Sequence, residues 1–123
     1  ALPALLRAEK LQKRAARVGF DWHDKAPVIE KIAEELAEID EAAALDSNNE
    51  QLSLECGDLL FACVNLVRHM GIDAESALRA ANGKFEKRFR RLEKLVEDEN
   101  LRPEQMALTQ LEQVWQRVKQ EEE

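Results

Sequence analysis

Two pairs of acidic residues have a spacing that could support chemistry. Glu35 and Glu38 stand three positions apart, and so do Glu55 and Asp58. Side chains three residues apart lie on one side of a helix, so the two members of each pair can share a ligand. The second pair adjoins the apolar run 59–67, where a buried carboxylate without a partner would be destabilising. We therefore predict that a cation faces these acidic side chains.

A narrow polar strip runs along this apolar segment. Its members fall on one side of a helix, with Ala62 in their middle, and are Glu55, Asp58, Asn65 and His69. Within the segment, Arg68 is predicted to point away from the strip, so it supplies no counter-charge. The short turn between the two acidic segments implies antiparallel neighbouring helices, which would bring both acidic pairs together. A cage of carboxylate oxygens suits Mg²⁺, with Mn²⁺ as a substitute.

Five helical segments must position these residues. Their predicted limits are about 3–18, 27–45, 50–70, 74–97 and 106–118, the last fraying into the acidic residues 121–123. Gly19, a polar turn over 46–49, Gly71 and Pro103 separate the segments, and Asp73 is a predicted N-cap. These signals predict an all-α bundle of four to five helices.

The apolar pattern of the second and third segments predicts how they are buried. The second carries a core stripe at three- and four-residue spacing, with Glu35 at its edge, made of Ile29, Ile32, Leu36, Ile39 and Ala43. The third is apolar around nearly its whole circumference, which predicts burial on several sides. A five-helix monomer of this size can hardly cover such a helix, so we expect a homodimer.

Composition limits the other possibilities. The chain has 123 residues, 45% hydrophobic and 35% charged, with only 4 Gly and 3 Pro, which favours one helical domain over 1–123. The formal net charge of −7 disfavours duplex nucleic acid and anionic membranes as partners. Cys56 and Cys63 are about 10 Å apart along a helix axis, too far for a disulfide within it. We expect buried free thiols, no membrane span and a cytoplasmic location.

Four segments in this order resemble the MazG-type, all-α nucleoside triphosphate pyrophosphatases. The central two have the EExxE pattern at 34–38 and the ExxD pattern at 55–58. The segments 12–22 and 82–89 are similar to the leading and third segments of that family. The chain looks most like the second of the two tandem domains in bacterial MazG proteins, which would make it a piece of a longer protein.

The resemblance implies an enzyme that hydrolyses a (deoxy)nucleoside triphosphate to the monophosphate and pyrophosphate. Its Mg²⁺ ligands would be Glu35, Glu38, Glu55 and Asp58. A carboxylate outside the full coordination shell should accept the proton of the attacking water. The candidates are Glu34 and Glu38, of which we favour Glu34.

The substrate contacts follow from the same resemblance. Lys84 and Arg88, one turn apart, would neutralise the triphosphate, and Asn82 precedes them in the matching segment. Trp22 and Trp115 are the two tryptophans and could stack on the nucleobase. Each could equally be a core aromatic, and Lys84 with Arg88 could be a solvated basic face. The preferred base and sugar stay open.

Two other classes of protein compete with this interpretation. A ferritin-like di-iron protein needs Glu-x-x-His pairs, but Phe20 precedes His23 and Leu66 precedes His69 at that spacing. A non-catalytic acidic helical module for oligomerisation or interaction would explain the charged faces. It would leave the acidic strip of the third segment unexplained.

Overall fold

The chain is all-α, as the sequence predicts. The computed structural model describes residues 3–44 and 49–122, and this part contains no strand. Its helices are α1 (Ala4–Arg17), α2 (Ala26–Ala44), α3 (Asn49–His69), α4 (Ala74–Asp98) and α5 (Leu108–Glu121), with a short 3₁₀ turn at Pro103–Gln105. The predicted limits are confirmed to within a few residues. Most of the predicted polar turn, 46–48, lies outside the described residues.

Backbone signals in the sequence explain where the helices stop. Positive φ angles occur at Gly19 (88°), Gly71 (73°) and Asn100 (61°), just after α1, α3 and α4. At each, the next residue donates its N–H to the carbonyl five residues earlier, at 3.0, 3.2 and 3.1 Å. This geometry closes a helix end and favours glycine or asparagine. Asp73 Oδ2 accepts the N–H of Ser76 at 3.1 Å, which confirms the predicted N-cap.

Residues 1–77 form the first of two compact units. Within it, α1 and α2 both pack against α3. Val28 is fully buried, whereas Ile29 and Leu36 are about half exposed. The predicted core stripe of α2 was therefore partly wrong, since the buried face is rotated to include Glu35. The rotation brings that carboxylate, and not Leu36, against α3.

The prediction that α3 is buried on several sides is not met within one chain. Ala62, Val64 and Asn65 are buried, but Leu60 is 67% exposed and Leu54 63% exposed. A single copy therefore leaves some apolar side chains of α3 uncovered. The expected burial of the thiols was also wrong, because Cys56 is exposed and Cys63 half-buried, although both are free.

Residues 78–123 form the second unit. Most of α4 and all of α5 share a small apolar core made of Leu92, Val96, Val114 and Val118. None of the described helices combines the length and the apolar character needed to cross a membrane. The single-domain assignment for 1–123 stays a prediction.

Candidate metal centre and nucleotide site

The two acidic pairs meet across the α2–α3 contact in the first unit. Glu35, Glu55 and Asp58 each offer a carboxylate oxygen within 4.8 Å of the others. Glu38 joins them through a side-chain hydrogen bond with Glu55. Glu35 therefore lies close to both Glu55 and Asp58, and Glu38 lies close to Glu55. The structure thus brings the four predicted carboxylates near one another, and their role as metal ligands stays a prediction.

Glu35 is the most deeply placed member of this carboxylate cluster, at 4% exposure. Its Oε1 pairs with Lys31 Nζ at 3.1 Å. Its Oε2 is buried and has no hydrogen-bond partner among the described residues. Glu9, another buried carboxylate, pairs one oxygen with Lys13 at 2.8 Å and accepts the Ala74 N–H with the other at 3.3 Å. Buried carboxylates normally find partners in this way, so the open oxygen of Glu35 requires an explanation.

The crowding of negative charge in the cluster raises the pKa values of Glu38 and of the neighbouring Lys31. The pKa of Glu38 is raised, first by its hydrogen bond with Glu55 and then by the charge of Glu35. The same field raises the pKa of Lys31, mainly through its hydrogen bond with Glu35 and then through the charge of Glu34. One ammonium group thus faces several carboxylates, and a divalent cation would compensate their charge better.

The donor set of this cluster fits a hard divalent cation. All of its members offer carboxylate oxygens, which are the preferred ligands of Mg²⁺ and Mn²⁺. The unpartnered Glu35 Oε2 is an acceptor that such an ion could engage. Neither histidine belongs to the cluster, which agrees with the sequence argument against a di-iron centre.

Glu34 takes a different position from the other predicted carboxylates. It is exposed, as Glu38 and Asp58 also are, and it lies close enough to Lys31 to influence the pKa of that amine. Among the described residues, the cluster of convergent oxygens does not include it. Of the two candidates for proton acceptor, Glu38 is the one that contacts the cluster.

The other end of the polar strip on α3 holds the loop between α1 and α2. Asp21 accepts hydrogen bonds from Arg68 Nη1 and Nη2 at 3.1 and 2.8 Å, and its Oδ1 lies 2.9 Å from His69 Nε2. Arg68 Nη2 also donates to Asn65 Oδ1 at 2.7 Å. The expectation that Arg68 points away from the strip was wrong, because its long side chain bends back to Asn65. His69 thereby contacts the loop between α1 and α2 and does not belong to the carboxylate cluster.

Asp21→Asn tests the strength of this Asp21–Arg68–His69 network. Arg68, followed by His69, lowers the pKa of Asp21 from 3.8 to about 2. Because the pKa of Asp21 is lower in the folded than in the unfolded chain, its ionised side chain stabilises the fold at any pH above the unfolded-state pKa. This stabilisation is lost as the pH falls from about 4 to about 2. We expect Asp21→Asn to lower the free energy of unfolding by about 1–2 kcal/mol at neutral pH. The variant should also lose less stability than the unaltered chain as the pH falls from about 4 to about 2. Urea unfolding at several pH values, with the exposed Asp40→Asn as control, measures both effects; equal losses in the two variants would contradict the assignment.

The Asp21 loop also forms one wall of a cleft of about 420 Å³ in the first unit. Trp22, which is 45% exposed, lines this cleft together with Phe20, Phe61 and Gln12. Aromatic walls with a few polar groups are typical of sites for planar ligands. The structure thus leaves the Trp22 ring accessible, as a stacking role requires.

The remaining predicted substrate residues lie in the second unit. Asn82 and Lys84 are exposed on α4, and Arg88, one turn further on, is largely covered. The Trp115 ring contacts Phe85 with 5.5 Å between ring centroids and packs against the apolar core of α4 and α5. Trp115 therefore has at least the role of a core aromatic, which was the alternative to base stacking.

Sequence reasoning missed two contributors to these sites. Lys31 stands four residues before Glu35, a spacing at which opposite charges pair on a helix, so this signal was readable. The contact between Asp21 and Arg68 joins residues 47 positions apart, and no local sequence pattern predicts it.

Comparisons with known proteins assign the chain to a family. The family model described as phosphoribosyl-ATP pyrophosphohydrolase matches residues 7–85. A nucleoside triphosphate pyrophosphohydrolase of Escherichia coli strain K12 is 50% identical over 122 residues, covering 98% of this chain and 46% of that protein. A nucleoside triphosphate pyrophosphohydrolase/pyrophosphatase MazG of Thermotoga maritima is 44% identical over 118 residues, covering 96% and 45%. The uncharacterized protein YabN of Bacillus subtilis is 40% identical over 121 residues, covering 98% and 25%.

The chain thus spans about half the length of the first two relatives, at 46% and 45%. The family model covers residues 7–85, which include the whole carboxylate cluster and the Asp21 loop. The chain belongs to the phosphoribosyl-ATP pyrophosphohydrolase family, and the MazG-type resemblance seen in its motifs is confirmed.

Proposed function

We propose that the chain catalyses Mg²⁺-dependent hydrolysis of a (deoxy)nucleoside triphosphate to the monophosphate and pyrophosphate. The observation that carries the proposal is the carboxylate cluster, in which the buried Glu35 Oε2 has no partner among the described residues. The names of the E. coli and T. maritima relatives support the same reaction. In this reaction a water oxygen attacks the α-phosphorus, the bond between that phosphorus and the bridging oxygen breaks, and pyrophosphate leaves.

The four cluster carboxylates are the proposed metal ligands. Glu35, Glu38, Glu55 and Asp58 would hold Mg²⁺, or Mn²⁺ in its place. Once bound, such an ion supplies positive charge to the phosphate oxygens and makes water more acidic. Lys31 orients the Glu35 side chain, since its ammonium lies 3.1 Å from Glu35 Oε1.

A carboxylate must also take the proton that the attacking water loses. Glu38 and Glu34 are the two proposed acceptors. The raised pKa of Glu38 moves its proton affinity in the direction that favours a general base. Exposed Glu34 would have to act through water. Glu34→Gln separates the two candidates, because it alters no proposed metal ligand: a large loss of turnover would identify Glu34 as the acceptor, and unchanged turnover would leave Glu38.

The substrate contacts remain a proposal based on the motifs. Lys84 and Arg88 would bind phosphate oxygens, with Asn82 nearby on the same helix. Trp22 is the better supported nucleobase contact, because its ring lines an open aromatic cleft. Trp115 is proposed as a second contact, although it also packs in the core of its unit.

Pyrophosphate release from a mixture of dNTPs is the direct test. We expect release with Mg²⁺ and none with EDTA. A non-catalytic acidic interaction module, favoured by the exposed apolar residues of α3, would release no pyrophosphate under either condition. A panel of single nucleotides would then identify the preferred base and sugar.

We also propose that two copies associate through exposed apolar side chains of α3. Leu54 and Leu60 are 63% and 67% exposed in the single chain. Burial of apolar area of this kind drives association. Light scattering at micromolar concentration should therefore give the mass of a homodimer. Leu60→Glu should shift the mass toward the monomer, and a monomeric mass for the unaltered chain would contradict the proposal.

A further inference from the structure

The acidic end of α5 binds the basic face of α4 within the second unit. Arg88 Nε lies 3.1 and 3.0 Å from the two carboxylate oxygens of Glu122, and its Nη2 lies 2.8 Å from Glu122 Oε2. The preceding Glu121 pairs in the same way with Arg91, at 2.8 and 3.0 Å. These two residues were expected to fray from the helix. Instead, α5 extends to Glu121, and Glu122 caps it.

Glu122 occupies the centre of a positive field. The pKa of its carboxyl is lowered, first by the hydrogen bond from Arg88 and further by the charges of Lys87 and Lys84. Lys84 and Arg88 are the side chains proposed to bind the triphosphate. The carboxylate thus lies where an anionic ligand of those cations would be attracted.

A carboxylate and a phosphoryl group bind a guanidinium in the same way. Both present two oxygens to two parallel N–H donors. The Nε and Nη2 donors of Arg88 are already engaged by Glu122, so a phosphate cannot use that edge of the guanidinium until the carboxylate leaves. The pair is partly open to solvent, with side-chain exposures of 20% and 38%. Ion pairs of this kind contribute little stability, so a polyphosphate with several negative charges can displace Glu122.

We propose that Glu122 is an internal competitor for the phosphate-binding edge of Arg88, held there until a polyphosphate displaces it. This inference rests on the proposed role of Arg88. It implies that Glu122 weakens the binding of any polyphosphate, with or without a nucleoside attached. Glu121 has no such effect, since its partner is Arg91.

Calorimetric titration with inorganic triphosphate tests the competition without requiring turnover. We expect Glu122→Gln to lower the dissociation constant about two- to fivefold, the range that release of one exposed ion pair allows. Glu121→Gln is the matched control, because it removes the same charge one residue earlier, and it should change the constant far less. In an Arg88→Gln background, the Glu122→Gln effect should disappear.

Three results would overturn the inference. Equal tightening in both single variants would show a general charge effect, and unchanged binding in Glu122→Gln would show that Glu122 does not compete. Weaker binding in Glu122→Gln would show that Glu122 positions Arg88 for the ligand. Absence of pyrophosphate release from the unaltered chain would be a separate failure, that of the proposed reaction, because the titration needs no catalysis.

Discussion

Asp58→Asn is expected to reduce pyrophosphate release at least about a hundredfold, the loss typical when a group that stabilises developing charge is removed. The substitution keeps the size of the side chain and removes one negative charge from the cluster with Glu35 and Glu55. An amide oxygen is a weaker ligand for a divalent ion than a carboxylate. Glu38→Ala should have a comparable effect, as ligand and candidate proton acceptor.

The control for this experiment lies on α2 itself. Glu41 is exposed, and Glu41→Gln removes the same charge outside the carboxylate cluster, so it should leave turnover within about twofold of the unaltered chain. Far-ultraviolet circular dichroism should show the same helix content in all variants. Retained turnover in both Asp58→Asn and Glu38→Ala would rule out the cluster as the metal centre.

The elements of this fold could be predicted because their signals are local. Gly19, Gly71 and Asp73 mark helix ends through their own backbone preferences. The acidic pairs were readable for a similar reason, since spacing along a helix fixes the face on which side chains lie. Once α2 and α3 are taken as antiparallel neighbours, the same spacing predicts that Glu35 lies close to Glu55 and Asp58, as the structure shows.

What the sequence did not reveal depends on contacts between distant residues. Periodicity placed Leu36 in the core of α2, yet Glu35 is buried and Leu36 half exposed. The apolar pattern shows that a face is to be covered, but not whether the same chain covers it. Arg68 was assigned to the wrong side because helix geometry fixes its Cα–Cβ direction and not the reach of its guanidinium toward Asp21 and Asn65.

The carboxylate cluster should also make the stability of the chain depend on divalent metal. In EDTA, the ionised side chains repel one another, and the buried Glu35 Oε2 has no partner among the described residues. The proposed Mg²⁺ would bind the folded arrangement and not the unfolded chain, and would therefore stabilise the fold by mass action. At a concentration a hundredfold above the dissociation constant this gives about 2.7 kcal/mol, or a rise in Tm of roughly 10 °C. Thermal unfolding followed at 222 nm, with Mg²⁺ and with EDTA, measures it.

The pH dependence of stability in the metal-free chain is an independent test of the repulsion between these carboxylates. Because the folded-state pKa of Glu38 is raised, the folded chain holds that proton more tightly than the unfolded chain does. This contribution to stability is complete below the unfolded pKa and is lost as the pH rises through the folded one. In EDTA, Glu38→Gln should therefore flatten the decline in stability with rising pH just above pH 4.5, the ordinary pKa of this carboxyl.

Glu35→Gln decides whether the stabilising ion occupies the cluster. The amide keeps the shape of the buried side chain but lacks its charge, so most of the Mg²⁺-dependent rise in Tm should disappear. Glu41→Gln should retain the full rise, since its side chain is exposed on the same helix. An undiminished rise in Glu35→Gln would place the ion elsewhere. No rise in the unaltered chain, together with Mg²⁺-dependent turnover, would mean that the metal arrives only with the nucleotide, and the carboxylates alone would then be too weak a site.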